Sequence, residues 1–207
     1  MPPWLDQSTK RLFDICGSIA LIVFLAPLMV AIALVVTVTD GGPPVFIHIR
    51  IGAGGRPFPC IKFRTMAVDA DRRLAMLLRS NPDIRAEWEA NRKLERDPRI
   101  TAIGGLLRKT SLDELPQLFN VLAGHMSLVG PRPIVRTERR RYGDRLPLYE
   151  RHRPGITGLW QVMGRSRTSY DERVDLDAWY ARNRSLVLDI RLLLLTVPAV
   201  VRGRGAY

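Results

Sequence analysis

Between Asp14 and Asp40 the chain runs for 25 residues, 15–39, without a charged side chain. As a straight α-helix this stretch would extend roughly 37 Å, more than the hydrocarbon thickness of a bilayer. A soluble core helix normally keeps one polar face, and this segment has none. A cleavable signal peptide has a shorter apolar centre and small residues before its cleavage point, and nothing of the kind precedes Asp40. The stretch is therefore read as a membrane segment.

Whether it crosses the bilayer is a separate question. Lys10 and Arg11 precede the segment and the other 30 basic residues follow it. Positive charge on both flanks favours keeping both ends in the cytoplasm. Pro27 stands almost at the midpoint, where it removes a backbone hydrogen bond and crowds the preceding turn. Together these features favour a re-entrant hairpin that dips into one leaflet and returns. Charge counting leaves the Pro-kinked transmembrane anchor open as the alternative.

The rest of the 207-residue chain is basic: Lys plus Arg is 32, Asp plus Glu is 20, and the net charge is +12. Such a surface attracts phosphate, whether of nucleic acid, nucleotide or lipid headgroup. Aromatic residues are only 7%, and many lie in the apolar segment or in strand interiors, which argues against a nucleic-acid stacking surface. At 46% apolar and 25% charged, the chain is not disordered. Its two cysteines, Cys16 and Cys60, exclude a disulfide scaffold and suit a reducing compartment. His48, His125 and His152 show no zinc spacing.

Residues 1–14 read as a short helix on the membrane surface, Trp4 and Leu5 toward lipid and Lys10 and Arg11 toward headgroups. After the stop at Gly41-Gly42-Pro43-Pro44, alternation over 45–51 and 57–63 across a Gly-rich turn predicts a β-hairpin. An amphipathic helix is expected over 67–78, and a charge-dense exposed helix or loop over 80–99. Residues 100–133 are the candidate packed centre. Residues 136–153 are strongly basic, and the Arg139-Arg140-Arg141 run suits either anionic lipid or solvent. Residues 171–183 read as a helix, and 186–201 as an interfacial apolar helix followed by Arg202 and Arg204.

Chemistry concentrates in KTSLDELPQLFNVLAGHMSLVGPRP, residues 109–133. Asp113 and Glu114 are adjacent acids with Arg108 and Lys109 before them and Arg132 after. Two acids among cations are the layout that holds a metal-bound phosphate, one carboxylate binding Mg²⁺ while its neighbour attacks phosphorus. Ser111 and Glu114 also have the spacing of a capping box, which would make Glu114 only a helix-start residue. Gly130-Pro131-Arg132-Pro133 is a rigid turn presenting one guanidinium, to phosphate or merely to solvent. Residues 153–161, Arg153 to Gln161, form a Gly-rich basic loop whose backbone N–H groups suit phosphate. Lys62 and Arg64 close the hairpin, either as ligands or as a solvated strand face.

In order along the chain stand Lys10-Arg-Leu-Phe-Asp14, KFRTM (62–66), DPRIT (97–101), SLDELPQL (111–118), MSLVGPRP (126–133), RPGITGLWQV (153–162) and Thr196-Val-Pro198. This series resembles the bacterial sugar transferase family, the monotopic polyprenyl-phosphate hexose-1-phosphate transferases, over nearly the whole chain. The ending Arg-Gly-Arg-Gly-Ala-Tyr207 is similar to members that start exopolysaccharide repeat units with galactose or glucose.

The resemblance implies an α+β, mainly helical fold. Residues 1–40 would be an interfacial segment and re-entrant helix broken at Pro27, and 41–207 a cytoplasmic catalytic domain with a β-hairpin and membrane-surface helices. It implies an enzyme on the cytoplasmic face of the bacterial inner membrane that moves hexose-1-phosphate from a UDP-hexose to undecaprenyl phosphate and releases UMP. Asp113 matches the nucleophile that forms a covalent phosphosugar, and Glu114 the Mg²⁺-binding acid. Arg108, Arg132 and Arg153 match phosphate- or nucleotide-binding positions, and Lys62, Arg64 and Gln161 complete the candidate substrate-binding set. Two departures stand out: the family's Ser-Pro break is Ala26-Pro27 here, and a usual Gln is His48. The long multi-span N-terminal region of larger members is missing, so a minimal stand-alone form is expected. Anionic lipids are expected partners, and the basic, amphipathic surface allows a homodimer. The competing reading is a non-catalytic membrane scaffold of glycan assembly. Galactose is the favoured sugar, with glucose next and acetamido sugars still open.

Overall fold

The computed structural model describes residues 3–91, 94–163 and 168–201; side chains of residues 1–6, among them Trp4 and Leu5, and the terminal Arg202 and Arg204 lie outside the described residues. Helix α1 (Pro3–Asp40) takes in both the surface helix expected at the N-terminus and the apolar segment, as one piece with Pro27 inside. The expected separate N-terminal helix is thus a continuation of the apolar one, and helical structure carries across Pro27. A proline removes one donor and crowds one turn, a loss that a long helix absorbs without ending.

Both ends of α1 are tied to the remainder of the chain. Near the start, Lys10 Nζ lies 2.8 Å from Asp14 Oδ1 and 3.0 Å from Asp189 Oδ2, all three side chains being buried. Asp14 also accepts from Ser127 Oγ and from the Leu128 N–H, both at 3.1 Å. Arg11 donates to the carbonyls of Val121 and Leu122, filling acceptors that a helix end leaves open. At the far end Asp40 accepts from the Val68 N–H at 2.9 Å and faces Arg64 at 3.7 Å.

Strands β1 (Val45–Ile51) and β2 (Pro57–Phe63) form the expected antiparallel hairpin, Val45 opposite Phe63 and Ile51 opposite Pro57. Beyond it come α2 (Ala70–Ser80), α3 (Pro82–Asn91), α4 (Ala102–Thr110), α5 (Gln117–Leu122) and strand β3 (Ser127–Val129). Short helices α6 (Arg139–Tyr142) and α7 (Leu146–Glu150) lead to strand β4 (Gly155–Thr157), then α8 (Leu159–Met163), α9 (Tyr170–Asn183) and α10 (Leu186–Val201). β3 and β4 pair in parallel, Ser127 with Gly155 and Val129 with Thr157. A Cβ on Gly130 or Gly155 would strike the opposing backbone, so glycine is required where these two segments meet.

Three apolar clusters hold the fold. Phe58, Cys60, Leu118, Val121, Met126 and Leu128 centre the first, against Phe13 and Ile22 of α1. Phe63 and Leu107 pack on Met29, Ile32 and Val36 of α1 in the second. Ile51, Ile134, Tyr142, Tyr149 and Val174 form the third. The stretch 100–133 is thus the packed centre that its composition predicts. Away from these contacts α1 exposes Val23, Phe24, Val30, Leu34 and Val38, and α10 exposes Val187, Leu194 and Val197. The segment Gln7–Asp40 has a window of mean hydropathy 3.1 and is long and apolar enough to cross a membrane. An apolar surface this extensive calls for a lipid environment.

Candidate active site

Helix α4 starts at Thr101, whose hydroxyl accepts from the Gly104 N–H at 3.0 Å. It ends at Ser111, with φ 57° and ψ 16°, the only non-glycine residue at positive φ among those described. That left-handed state costs an L-residue roughly 1 kcal/mol or more. It reverses the chain into a 3₁₀ turn, Leu112–Glu114. Leu112 and Leu115 anchor the turn against the Met29–Val36 half of α1. Ser111 makes no side-chain capping bond, so the capping box permitted by its spacing to Glu114 does not form. The two acids are left for other work.

Lys62 on β2 answers them, its Nζ 2.5 Å from Glu114 Oε1 and 3.8 Å from Asp113 Oδ2. Its strand is fixed by Asn120 of α5, whose amide accepts from the Ile61 N–H at 2.9 Å and donates to the Pro59 carbonyl at 2.7 Å. Arg108 donates to Thr65 Oγ1 at 2.9 Å, and Thr101 N–H donates to the Thr65 carbonyl at 3.1 Å. With the Met66–Ile100 bridge, these bonds dock the strings 62–66 and 97–101 on each other.

Burial pushes the Asp113 carboxyl up to about 6; Glu114 adds to the rise, while Lys62 and Arg108 oppose it. For Glu114, partial burial works against the charge, but Lys62, Arg132 and Arg50 outweigh it and hold the carboxyl below its ordinary value. Environment thus drives two adjacent acids apart, as functional sites do. Arg132 stands 5.0 Å from the centre of the Trp160 ring. Burial, then Arg173, works against its charge, a crowding that an anion would relieve.

The structure therefore gathers Asp113, Glu114, Lys62, Arg108 and Arg132. Arg64 goes elsewhere, to the Val36 carbonyl and Asp40 at the end of α1. Arg153 donates to the Gly124 carbonyl at 2.8 Å, just beyond α5, on the side where Arg11 lies. Gln161, on α8, donates to the Ile156 carbonyl at 3.3 Å. His48 is exposed on β1, and partial burial beside Arg50 and Lys62 lowers its pKa. Sequence reasoning missed Arg50, Thr65 and Arg173. Arg50 sits near the end of an alternating strand, and its action on Glu114 and its contact with the Pro133 carbonyl at 3.4 Å reveal that it borders the site.

Among the described residues no three His, Cys, Asp or Glu side chains cluster as a metal cage. Asp113 and Glu114 offer two adjacent carboxylates in one 3₁₀ turn, the donor type that Mg²⁺ takes alongside phosphate and water oxygens.

A family model described as bacterial sugar transferase matches residues 5–203. The chain is 52% identical, over 96% of its length, to an undecaprenyl-phosphate galactose phosphotransferase of Salmonella typhimurium, and 49% identical to a UDP-galactose-lipid carrier transferase of Erwinia amylovora. It spans 41% of the length of each of those two relatives. It is also 48% identical to the exopolysaccharide production protein ExoY of Rhizobium meliloti, of which it covers 88%. With a match over all but a few terminal residues, the chain belongs to the bacterial sugar transferase family.

Proposed function

We propose that the protein transfers hexose-1-phosphate, galactose first among the candidates, from a UDP-sugar to undecaprenyl phosphate. The observation that carries this reading is a buried carboxylate, Asp113, between Lys62 and Arg108, beside a second acid, Glu114, that Arg132 also faces, and seated on the flank of an apolar helix. Such a group lies between a soluble anionic donor and an acceptor phosphate held at the membrane. The galactose-directed names of two relatives, and the exopolysaccharide role in the name of a third, support the donor and the pathway class.

In the first step an oxygen of ionised Asp113 attacks the sugar-bearing phosphorus. The bond to the bridging oxygen of the diphosphate breaks, and that oxygen leaves with its electron pair on UMP. In the second step an oxygen of polyprenyl phosphate attacks the same phosphorus, the acyl–phosphate bond breaks, and Asp113 returns as a carboxylate. Splitting one displacement in two means that donor and acceptor never have to bind together. Lys62, Arg108 and Arg132 offset the repulsion between an anionic nucleophile and an anionic diphosphate. Glu114 is the side chain that would hold Mg²⁺, whose chemistry there is to neutralise phosphate charge. Arg64 and Arg153, committed to carbonyls at the ends of helices, serve as positioning residues.

The same reading places the chain on the cytoplasmic face of the inner membrane, with α1 re-entrant. Support comes from both ends of α1: Lys10 and Asp14 bond to Asp189 and Ser127, while Asp40 bonds to Val68. A helix crossing the bilayer would carry one of those ends to the opposite side from its partners.

The test is UMP release by detergent-purified protein given Mg²⁺, undecaprenyl phosphate and a panel of UDP-sugars, beside Asp113→Asn and Glu114→Gln. Release from one donor, lost in both variants, is the expected result. Silence across the panel would favour the scaffold reading instead.

A further inference from the structure

Beside Arg132 lies a group of buried donors with no hydrogen-bond acceptor among the described residues. Trp160 carries two guanidiniums, that of Arg132 at 5.0 Å from its ring centre and that of Arg173, from α9, at 5.2 Å. Arg173 also stands 4.9 Å over the ring of Tyr170 and is only 8% exposed. Its Nε and Nη2, together with Trp160 Nε1 and Tyr170 Oη, are buried without a hydrogen-bond partner among the described residues. Carboxylates meet its charge at a distance: Glu138 is 3.9 Å away, and Asp177 is already bonded by the Tyr142 hydroxyl at 2.7 Å.

A buried donor left without an acceptor is costly, so a guanidinium kept only for packing would normally find acceptors. Two guanidiniums, an indole N–H and a phenol are a donor set for phosphate oxygens. Their order relative to the dyad is also informative. Lys62 contacts both acids and Arg132 faces Glu114, whereas Arg173 shares the Trp160 ring with Arg132. Arg173 therefore stands one step further from the acids. In-line attack puts the leaving phosphate opposite the nucleophile, away from the attacking oxygen.

We propose that Arg173 is a donor-binding residue that holds the phosphate of the nucleotide leaving group, with Trp160 Nε1 and Tyr170 Oη completing the oxygen contacts. The assignment rests on the transferase reading above.

Calorimetric titration of the full chain in detergent with UDP and with UMP tests it. Arg173→Met keeps the aliphatic stem against Trp160 and is expected to weaken both nucleotides about tenfold or more, the scale of a lost charge-assisted hydrogen bond. Arg173→Lys should weaken them less, and the nucleotide-free melting temperature should move little. If Arg173→Met does not fold, Arg173→Lys and Trp160→Phe, which removes a single N–H, decide the matter by the same titration. Unchanged affinities in folded variants, with the parent chain binding UDP, overturn the inference and leave the transferase reading intact. Loss for UDP alone overturns the placement on the leaving phosphate. A parent chain that binds neither nucleotide overturns the transferase reading and this inference together.

Discussion

Replacing Lys62 by Met should make Asp113 harder to ionise. Lys62 Nζ is 3.8 Å from Asp113 Oδ2, and among the groups around that carboxyl it is the strongest opponent of the upward push from burial. Unit charges at that separation interact by roughly 4 kcal/mol at an effective dielectric of about 20. The Lys62 side chain is 24% exposed and is shared with Glu114, so solvent and the second acid reduce the share reaching Asp113 by about half or more. At about 1.4 kcal/mol per unit, the Asp113 titration should rise by roughly 1–2 units from its starting value. A nucleophile must be ionised, so the acid limb of kcat/KM for UMP release should move to higher pH by that interval. At pH 7 the ionised share would fall from about nine tenths to half or less. The maximal rate should also drop, because Lys62 faces the diphosphate, but the limb position is independent of that loss. Lys62→Arg should keep the limb near its original place. An unmoved limb in Lys62→Met would refute the claim that Lys62 sets the ionisation of Asp113.

The same carboxyl affects stability. Asp113 titrates at about 6 in the fold against a free value of 3.8, so the native state binds the proton more tightly. The stabilisation from its protonated form is complete below the free value and is lost as pH rises through about 6. Asp113→Asn should therefore be more stable than the parent by roughly 1–3 kcal/mol at pH 8, with no gain near pH 4; thermal unfolding at the two pH values checks this, and a less stable variant at pH 8 contradicts it. A Cβ on Gly104 would collide with the Thr65 carbonyl, whereas Gly105 has open space around it. Gly104→Ala should cost about 2 kcal/mol or more and shift Arg108, while Gly105→Ala should be neutral or gain up to about 1 kcal/mol, as read by unfolding of the two variants side by side. Lys10→Met strands Asp14 and Asp189 without their cation and should cost about 3–5 kcal/mol, and adding Asp189→Asn should recover part of the loss in a melting assay.

Much of the architecture follows from patterns that sequence carries openly. The charge-free stretch is the greater part of α1, the alternation over 45–51 and 57–63 is the hairpin, and the helix expected over 171–183 is Tyr170–Asn183. The acids were visible because they stand out among apolar and basic neighbours. Their freedom to act was not, since the spacing of Ser111 and Glu114 is the same whether the backbone starts a helix or turns left-handed, as it does here. Arginine was the hardest residue to read. Its guanidinium serves phosphates and helix-end carbonyls alike, so Arg64 and Arg153 looked like Arg132 in the sequence and lie on carbonyls in the fold. Arg173 sits near the start of an ordinary helix, and only tertiary packing of α8 against α9 buries it.

The most direct test of the mechanism is to look for the covalent phosphosugar on Asp113. The full chain is incubated with UDP-galactose and Mg²⁺ without any lipid acceptor, quenched, and measured by intact mass and peptide mapping. A gain of one hexose phosphate on the peptide carrying Asp113, with one UMP released per adduct and neither seen in Asp113→Asn, is the expected result. UMP that appears only when undecaprenyl phosphate is added, or an adduct that persists in Asp113→Asn, would contradict a two-step transfer through this carboxylate.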